Sequence, residues 1–541
     1  MGCSQPVPPS AGPPWFEDIS ALVGVDFIHD AGSPGDYAMP RIMGSGCAIF
    51  DADGDGRLDL YLLHHGGSTG KKNQLYLQLA DGTFRDASAG SGLDRADFWH
   101  GVAIGDMDND GRPDVLLTRL GGLCLLRNQG NGKFTDVTAS SGLFNPLWAT
   151  SAAFVDYDRD GWLDLLVVNY LDYDPRRECL SPQGQRDFCA PSAFSPVASK
   201  LFRNLGANKQ LGQFEDVSFA SGIGRLPGPG LGVVCADFDG DGWPDFFIAN
   251  DGKPNHLWIN QRDGTFRNQA VSRGVATSGT GTAMAGMGVA LGDVSGNGLF
   301  DLYVTHLGSE TNTLWQQGPR GQFRDQSTAA GLTDTHWRGT GFGTLMADFD
   351  CDGWLDIALV NGRVALGGNA RASGQEFWEP YAERNQLLAG VGNGRFLDVS
   401  LDSPALCGFW NIGRGLACGD VDGDGAPDLL VNSIAGKARL LRNVAPRKGH
   451  WLLLRVVDPA YNRDAYGAEL RVRAADREWL RQVQTAESYL SSSSPLVHVG
   501  LGSSNHFDAI VVTWPDGQRE LFPGGPADRQ LELRRGQGRQ L

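Results

Sequence analysis

The stretch Asp51-Ala-Asp-Gly-Asp-Gly-Arg-Leu-Asp59 decides the fold, because variants of it return in seven places along the 541 residues of the chain. The pattern DxDxDGxxD, with two polar replacements in the fifth copy, separates its successive copies by 55, 50, 81, 56, 55 and 72 residues. Self-similarity at a regular period indicates a repeat architecture in which each copy is one supersecondary unit. The copies begin at Asp51, Asp106, Asp156, Asp237, Asp293, Asp348 and Asp420.

Each copy lies within the same arrangement of apolar runs, for which the second copy serves as the example. A glycine-rich apolar run at residues 101–105 precedes the loop, and a second run at 115–117 follows it. A third run covers residues 125–128, and a fourth, at 134–136, has the form Phe-x-Asp. Short apolar runs separated by turn residues are typical of strands, and four strands per repeat are typical of a β-propeller blade.

The two ends of the repeat region complement each other. The seventh copy continues from its third run, at residues 440–443, into unrelated sequence and lacks its Phe-x-Asp strand, whereas Phe16-Glu17-Asp18 stands before the first copy with no blade of its own. The N-terminal strand can therefore close the ring, which removes the exposed sheet edges. We predict an all-β protein with a flexible tether at residues 1–14, a seven-bladed propeller at 15–446 and a small β domain at 447–541. A content of 75 glycines and 27 prolines agrees with many short strands and tight turns.

The repeated loops have the chemistry of calcium sites. Calcium takes six to eight hard oxygen ligands, and loop positions 1, 3, 5 and 9 supply carboxylates around a glycine turn, with a backbone carbonyl expected from position 7. Four carboxylates this close would repel one another strongly without a cation. The predicted ligands are Asp51, Asp53, Asp55, Arg57 and Asp59; Asp106, Asp108, Asp110, Arg112 and Asp114; Asp156, Asp158, Asp160, Trp162 and Asp164; Asp237, Asp239, Asp241, Trp243 and Asp245; Asp293, Ser295, Asn297, Leu299 and Asp301; Asp348, Asp350, Asp352, Trp354 and Asp356; and Asp420, Asp422, Asp424, Ala426 and Asp428.

The sequence thus predicts up to seven bound Ca²⁺ ions, of which the fifth is the weakest. Its loop offers two carboxylates, Asp293 and Asp301, where the other loops offer four, and calcium affinity falls with ligand charge. Cys351 occupies a position in the sixth loop that need not bind the metal. Seven ions would change the formal net charge from −17 to −3.

Charge and composition exclude some functions and favour a compartment. A net charge of −17 argues against nucleic-acid partners, and no apolar run is long enough to cross a bilayer. Calcium modules of this kind commonly bind at about 10⁻⁴ to 10⁻³ M, which points to an extracellular, cell-surface or periplasmic location. Gly2-Cys3 before a polar stretch resembles a lipoprotein cleavage site with a lipid anchor on Cys3, although an arbitrary start explains it equally well. The sequence does not decide whether Cys179 and Cys189 form a disulfide.

A candidate partner face lies opposite the metal loops. Polar residues stand five positions after the ninth residue of every loop, and aromatic residues and histidines stand at the starts of the inner strands, where the long insertions at 172–199 and 363–385 also leave. Such residues suit a glycan or a protein loop, because aromatic faces stack while polar edges form hydrogen bonds. The alternative is that they cap the blades and close turns. The candidates are His64, Trp99, His100, Arg119, Trp148, Asn169, Asn250, His306, His336, Trp337, Asn361 and Trp410, with Ser433 as the seventh of the polar set.

Seven DxDxDG loops with Phe-x-Asp strands resemble FG-GAP/VCBS repeats, the type found in the α-integrin propeller. The C-terminal motifs resemble the ASPIC/UnbV domain, and the roughly seven short strands within 450–534 indicate a small β-sandwich or barrel. The pairing is similar to the cartilage acidic protein family, which implies an acidic extracellular calcium-binding protein with matrix or cell-surface partners. The chain contains no Asn-x-Ser/Thr sequon, which favours a bacterial member. The C-terminal motifs are His450-Trp-Leu452, residues 462–468 (NRDAYGA), 488–491 (SYLS), 498–502 (HVGLG) and 514–517 (WPDG).

The sequence contains no nucleophile with an adjacent base, no phosphate-binding loop and no HExxH motif. We therefore expect a binding or scaffold protein that adheres to glycan or protein partners and not an enzyme. Two alternatives remain, a calcium-assisted carbohydrate-active lyase or hydrolase and a purely structural spacer.

Overall fold

Seven antiparallel sheets of one plan follow one another in the computed structural model, which describes residues 12–206, 212–366, 376–446 and 449–541. Each sheet has an inner strand that precedes the aspartate loop, a second strand that follows it, and two further strands. The inner strands contact one another in cyclic order, and that of the seventh blade contacts that of the first. The all-β propeller predicted from the repeats is confirmed, and Cys3 lies outside the described residues.

From the inner to the outer strand, the blades are as follows. The first three are Cys47–Phe50, Asp59–Leu62, Gln74–Gln78 and Phe84–Asp86; Trp99–Gly105, Asp114–Arg119, Gly122–Gly130 and Lys133–Asp136; and Ala149–Val155, Asp164–Asn169, Lys200–Asn204 and Phe214–Asp216. The next two are Gly230–Ala236, Asp245–Asn250, His256–Asn260 and Phe266–Asn268; and Val289–Gly292, Asp301–Val304, Thr313–Gln317 and Phe323–Asp325. The last two are Gly341–Ala347, Asp356–Asn361, Gln386–Gly390 and Phe396–Asp398; and Gly413–Gly419, Asp428–Ser433, Arg439–Asn443 and Phe16–Asp18.

The helices between these strands are short. The α-helices are Met39–Met43, Thr138–Ser141, Ser218–Ser221, Ala270–Arg273 and Pro404–Cys407, and the 3₁₀-helices include Pro191–Ala193, Ile223–Arg225, Glu379–Tyr381 and Ser400–Asp402. Among the described residues, no helix is both long enough and apolar enough to cross a membrane.

Glycines in the inner strands allow neighbouring blades to approach closely. A Cβ atom on Gly101 would lie 2.4 Å from the carbonyl oxygen of Thr150 in the next blade, and one on Gly288 would lie 2.0 Å from that of Phe342. Both distances are far below van der Waals contact, so a side chain at either position would push the blades apart. The glycine-rich runs before the loops therefore reflect crowding at the ring centre.

The N-terminal strand Phe16–Asp18 forms the outer strand of the seventh blade. It pairs antiparallel with Arg439–Asn443, and Phe16 lies opposite Asn443. Arg439 Nη1 donates to Asp18 Oδ2 at 2.6 Å, and Arg442 Nη2 donates to Glu17 Oε2 at 2.7 Å. The buried Phe16 ring packs edge-on against Phe349 at 5.3 Å. The ring of blades is thus joined by strands from the two ends of the repeat region.

The C-terminal domain consists of two sheets that share one apolar core, which confirms the predicted sandwich. Leu454 and Val499 come from one sheet and Val472 and Ile510 from the other, and all four are buried in this core. One sheet contains His450–Asp458, Arg463–Asp464, Val497–Gly502 and Arg529–Arg534; the other contains Glu469–Ala474, Arg477–Gln482, His506–Thr513, Arg519–Pro526 and Arg539–Gln540.

The segment at residues 485–494 leaves the C-terminal domain and enters the centre of the propeller. Ser488 and Val289 exchange backbone hydrogen bonds of 2.7 and 3.0 Å, and Leu490 O accepts one from Val102 N at 3.0 Å. The short strand Ser491–Ser492 pairs in parallel with Cys47–Phe50 of the first blade and antiparallel with Ala486–Glu487. We call residues 485–494 the channel segment, because it occupies the space where the inner strands converge.

The other mouth of the channel is closed by the helix Met39–Met43 and by the two long insertions. Met43, Phe188 of the first insertion and Tyr381 of the second share one apolar cluster with Tyr489 and Leu490 of the channel segment. The first insertion also forms a hairpin of Cys179–Leu180 and Arg186–Asp187, in which Cys179 and Cys189 are joined by a disulfide. The insertions therefore seal the ring.

Arg414 adds a buried charge to this closure. Its guanidinium lies 3.7 Å from the centroid of the Phe342 ring and donates to the carbonyl oxygens of Ile42 at 2.9 Å and Gly362 at 3.0 Å. Burial lowers the pKa of Arg414 to about 9, so the group is charged at neutral pH. These bonds join the N-terminal segment to the sixth and seventh blades.

Candidate metal centres and the opposite face

The aspartate loops are shaped by the same hydrogen bonds from backbone N–H groups to aspartate side chains in all seven blades. In the first loop, Asp51 Oδ2 accepts from Gly56 N at 2.9 Å, and Asp59 Oδ2 accepts from Ala52 N at 2.8 Å. Gly56 has a φ of 86°, which other residues rarely adopt. The other six loops repeat both bonds, from the sixth residue to the first and from the second residue to the ninth. Position 1 directly follows the inner strand and position 9 begins the second strand, so the two strands fix the positions of these carboxylates.

Carboxylates from positions 1, 3 and 9 converge. One oxygen from each lies within 4.8 Å of the other two in the loops that begin at Asp51, Asp106, Asp156, Asp237 and Asp348. The residue at position 7 of every loop donates its N–H to the side chain at position 5, as Arg57 N does to Asp55 Oδ1 at 2.9 Å. Position 5 also pairs with arginine in several loops, for example Asp241 with Arg262 at 2.7 Å. The three converging oxygens form the centre of the candidate site in these five loops, and the side chain at position 5 is oriented by the bonds that it accepts.

The side chains at positions 1, 3 and 9 of these five loops are buried or half-buried, and some of their oxygens lack hydrogen-bond partners. Asp108 Oδ1, Asp158 Oδ1 and the Ser295 hydroxyl, all at position 3, are buried with no hydrogen-bond partner among the described residues. Burial, reinforced by neighbouring carboxylates, raises the pKa of Asp59 and Asp156 to about 7. A divalent cation would satisfy the oxygens and offset the repulsion, and an all-oxygen donor set suits calcium better than softer metals. The loops therefore fit the predicted ion.

The fifth loop differs in its surroundings as well as in its own charge. Asn297, in place of an aspartate, donates its side-chain N–H to Gln317 O at 2.8 Å. Arg481 of the C-terminal domain is buried near this loop, where its positive charge acts on Asp293 and on Asp348 of the sixth loop. A neighbouring cation weakens the attraction of both loops for calcium, and the fifth loop has fewer carboxylates to offset it.

Asp293→Asn is expected to leave the tighter calcium-binding phase unchanged and to remove only the weakest step, because its loop has the lowest ligand charge. The matched change Asp51→Asn is expected to remove one equivalent from the tighter phase. Isothermal titration of chelator-stripped protein with CaCl₂ separates the two variants. A loss of tight binding in Asp293→Asn equal to that in Asp51→Asn would contradict the ranking.

The C-terminal domain covers the metal-loop face and bonds to the loops themselves. Arg463 Nη2 donates to Gly161 O at 3.1 Å, and Arg471 Nη2 donates to Gly298 O at 3.1 Å. Gly353 O accepts from Arg477 Nη2 at 2.8 Å and from Trp479 Nε1 at 2.9 Å. All three carbonyls belong to the sixth residue of a loop, the glycine at its turn. This contact between the C-terminal domain and the loops could not be predicted from the sequence, because single arginines at irregular spacing form no recognisable motif.

Most of the predicted partner face is buried, which corrects that expectation. Asn169 donates its side-chain N–H to Ala198 O, Asn250 to Pro254 O and Asn361 to Arg384 O, at 2.6 to 2.9 Å. His306 is held between Ala285 O and the Thr313 hydroxyl, and Ser433 donates to Asn411 Oδ1. These side chains satisfy the turn after the second strand of each blade. As partner contacts, the buried residues were wrongly predicted: His64, Trp99, His100, Trp148, Asn169, Asn250, His306, Asn361 and Ser433.

The remaining candidates keep some access to solvent. Arg119 is half-buried and paired with Asp97, and Trp337 is half-buried with its Nε1 donating to Asn385 O at 3.1 Å. His336 is exposed, and Trp410 is 46% exposed. Trp410 is thus the large aromatic side chain of the predicted face that offers a surface.

Family models match part of the propeller and most of the C-terminal domain. The model of the FG-GAP-like repeat matches residues 51–117, 108–167 and 237–304, and that of ASPIC and UnbV matches residues 458–540. BP39L lectin from Burkholderia pseudomallei aligns with a TM-score of 0.41 at 12% identity, over 74% of this chain and 97% of that one.

Two curated relatives are similar in sequence over about 60% of this chain. Cartilage acidic protein 1 of Xenopus tropicalis is 26% identical over 402 residues, which cover 63% of this chain, and the human protein of that name is 27% identical over 336 residues, or 60% of this chain. The chain spans 60% of the length of the Xenopus protein and 45% of the human one. The propeller thus contains FG-GAP-like repeats within residues 51–304, residues 458–540 match ASPIC and UnbV, and the chain is similar in sequence to cartilage acidic protein 1.

Proposed function

We propose that this protein is a calcium-binding recognition scaffold that acts outside the cytoplasm and binds a glycan or protein partner. The convergence of three carboxylate oxygens within 4.8 Å in the first four blades and the sixth is the observation that carries the proposal. A cation in each loop would tie the first strand of a blade to its second and offset the buried negative charge. The propeller would then be a rigid frame from which exposed loops contact a partner.

Two further features support a location outside the cytoplasm. Calcium loops in extracellular modules bind at about 10⁻⁴ to 10⁻³ M, concentrations that the cytosol does not reach. The disulfide between Cys179 and Cys189 persists in an oxidising compartment.

A binding role fits the channel better than the alternative of a calcium-assisted lyase or hydrolase. Tyr489 and Arg414 fill the channel in which a propeller enzyme could hold its substrate, and the Arg414 guanidinium is committed to backbone carbonyls. Burial lowers the pKa of His64, His65 and His306 to about 4, so these imidazoles are neutral core groups. A purely structural spacer is the outcome that a binding test must exclude.

The proposal is tested by applying the purified chain to an array of glycans and extracellular matrix proteins in 2 mM CaCl₂, in parallel with a chelated sample. Calcium-dependent binding to a defined ligand is expected. Asp51→Asn, which removes one converging carboxylate, should shift the calcium dependence, whereas Asp81→Asn, at an exposed turn of the same blade, should not. If the protein binds calcium but no ligand, the structural spacer is the function that remains. If it binds no calcium, the proposal is refuted.

A further inference from the structure

We propose that the cleft between the sixth and seventh blades, walled by Trp378, Phe409 and Trp410, binds a short neutral oligosaccharide. This inference rests on the proposed function and gives it a site and a ligand class. The cleft has a volume of about 480 Å³, whereas the other cavities described have volumes between about 10 and 110 Å³. Ligand sites typically occupy about 300 to 1,000 Å³.

The cleft opens on the face opposite the metal loops. One wall comes from residues 376–382, in the second half of the insertion in the sixth blade, and another from residues 409–412, before the inner strand Gly413–Gly419. The turn at residues 433–437 completes it, and the buried side chains of Ile412 and Ile434 also line it. Its position is thus set by two blades and one insertion.

The aromatic walls are held in place by arginines and by neighbouring rings. The Arg384 guanidinium lies 5.3 Å from the Trp410 centroid and 5.4 Å from that of Trp337. Arg439 lies 3.6 Å from the Phe409 centroid and is itself anchored by Asp18. These contacts order the rings before a ligand arrives, so binding loses little side-chain entropy. Trp378 is ordered in the same way, since it stacks on Phe188 with centroids 6.0 Å apart.

The polar groups of the cleft balance in charge. Glu376 and Lys437 are exposed in the lining, and Glu379 and Arg439 are half-buried there. Two acids and two bases give no net attraction for a charged ligand, but they can accept and donate hydrogen bonds to hydroxyl groups. A pyranose combines an apolar face of C–H groups with a rim of hydroxyls, and the exposed Trp410 ring with its polar surroundings matches both. The cleft therefore favours a neutral sugar over an anionic polymer.

The test measures binding of immobilised neutral oligosaccharides to the full chain in 2 mM CaCl₂, followed by calorimetric titration of the strongest binder. Trp410→Ala is expected to weaken binding by about tenfold or more, and Trp410→Phe, which keeps a ring, by less. Phe219→Ala is the matched control. Phe219 is 71% exposed and the Arg225 guanidinium lies 4.4 Å from its ring centroid, as Arg384 lies near Trp410, but Phe219 is outside the cleft. An unchanged thermal midpoint shows that each variant is folded.

Three results overturn the inference alone. They are equal binding of the saccharide by Trp410→Ala and the unchanged chain, equal weakening by Phe219→Ala, and binding of proteins or peptides without any saccharide. The last leaves the proposed function standing with another ligand class. If the protein binds none of the ligands tested and takes up no calcium, both proposals are overturned.

Discussion

Removal of calcium is expected to lower the free energy of unfolding by about 3 to 10 kcal/mol at 1 mM Ca²⁺, if seven sites bind at about 10⁻⁴ to 10⁻³ M. Each site contributes RT ln(1 + [Ca²⁺]/Kd), and the buried carboxylates of the loops lose their counter-charge when the ion leaves. The loss should extend to the C-terminal domain, because Arg463, Arg471 and Arg477 bond to glycine carbonyls at the loop turns.

Calorimetric melting in 1 mM CaCl₂, and after exchange into chelator at the same ionic strength, measures this effect. Hydrogen exchange of the strands Glu469–Ala474 and Arg477–Gln482, which carry Arg471 and Arg477, reports on the contact between the domains. Magnesium at the same concentration is the control, since it favours a smaller octahedral site and should restore little of the stability. An unchanged melting temperature and unchanged exchange in chelator would contradict a structural role for calcium.

Tyr489→Ala is expected to destabilise the protein by about 3 to 5 kcal/mol, the range for truncating a large buried aromatic residue. The Tyr489 side chain is fully buried, and its ring meets that of Phe342 edge-on at 4.8 Å. Its hydroxyl donates to Met43 O at 3.1 Å, which joins the channel segment to the N-terminal helix. The truncation would leave a cavity at the centre of the ring.

Chemical denaturation of the calcium-loaded protein measures this loss. Tyr489→Phe keeps the ring and removes only one hydrogen bond, so it should cost about 1 kcal/mol. Phe144→Ala, at a side chain that is 71% exposed, should change stability by less than about 0.5 kcal/mol. A cost for Tyr489→Ala no greater than that for Tyr489→Phe would show that the channel segment is not part of the packed core.

The blade architecture could be predicted because its determinants are local and repeated. The loop from Asp51 to Asp59, the strands on either side and the Phe-x-Asp strand lie within one period, and the bonds that Gly56 and Ala52 donate to Asp51 and Asp59 span at most seven positions. The unpaired Phe16-Glu17-Asp18 could be matched to the seventh copy because that copy lacked its fourth strand. In both cases, the sequence shows the loop or strand and also the repeat unit to which it belongs.

The channel segment could not be predicted in this way. Ser488 and Leu490 contact Val289 and Val102, which are hundreds of residues distant, and residues 485–494 show no periodicity that relates them to an inner strand. The polar positions after the second strands were misinterpreted for the opposite reason. Asn169, Asn250 and Asn361 occur at one position of the third, fourth and sixth blades because each closes the same turn. A polar side chain that returns at one position of every blade indicates a structural role, whereas Trp410 is 46% exposed.

The pairing of Phe16–Asp18 with Arg439–Asn443 has a consequence for synthesis of the chain. The two strands lie more than 420 residues apart, so the first strand leaves the ribosome long before its partner exists. At an elongation rate of about 5 to 20 residues per second, the edge of the growing array stays unpaired for about 20 to 80 seconds. During that time an open sheet edge can pair with other chains. Folding of this protein thus ends with a ring closure that translation itself delays, and a chaperone that shields strand edges should raise its yield more than one that accelerates the folding of single blades.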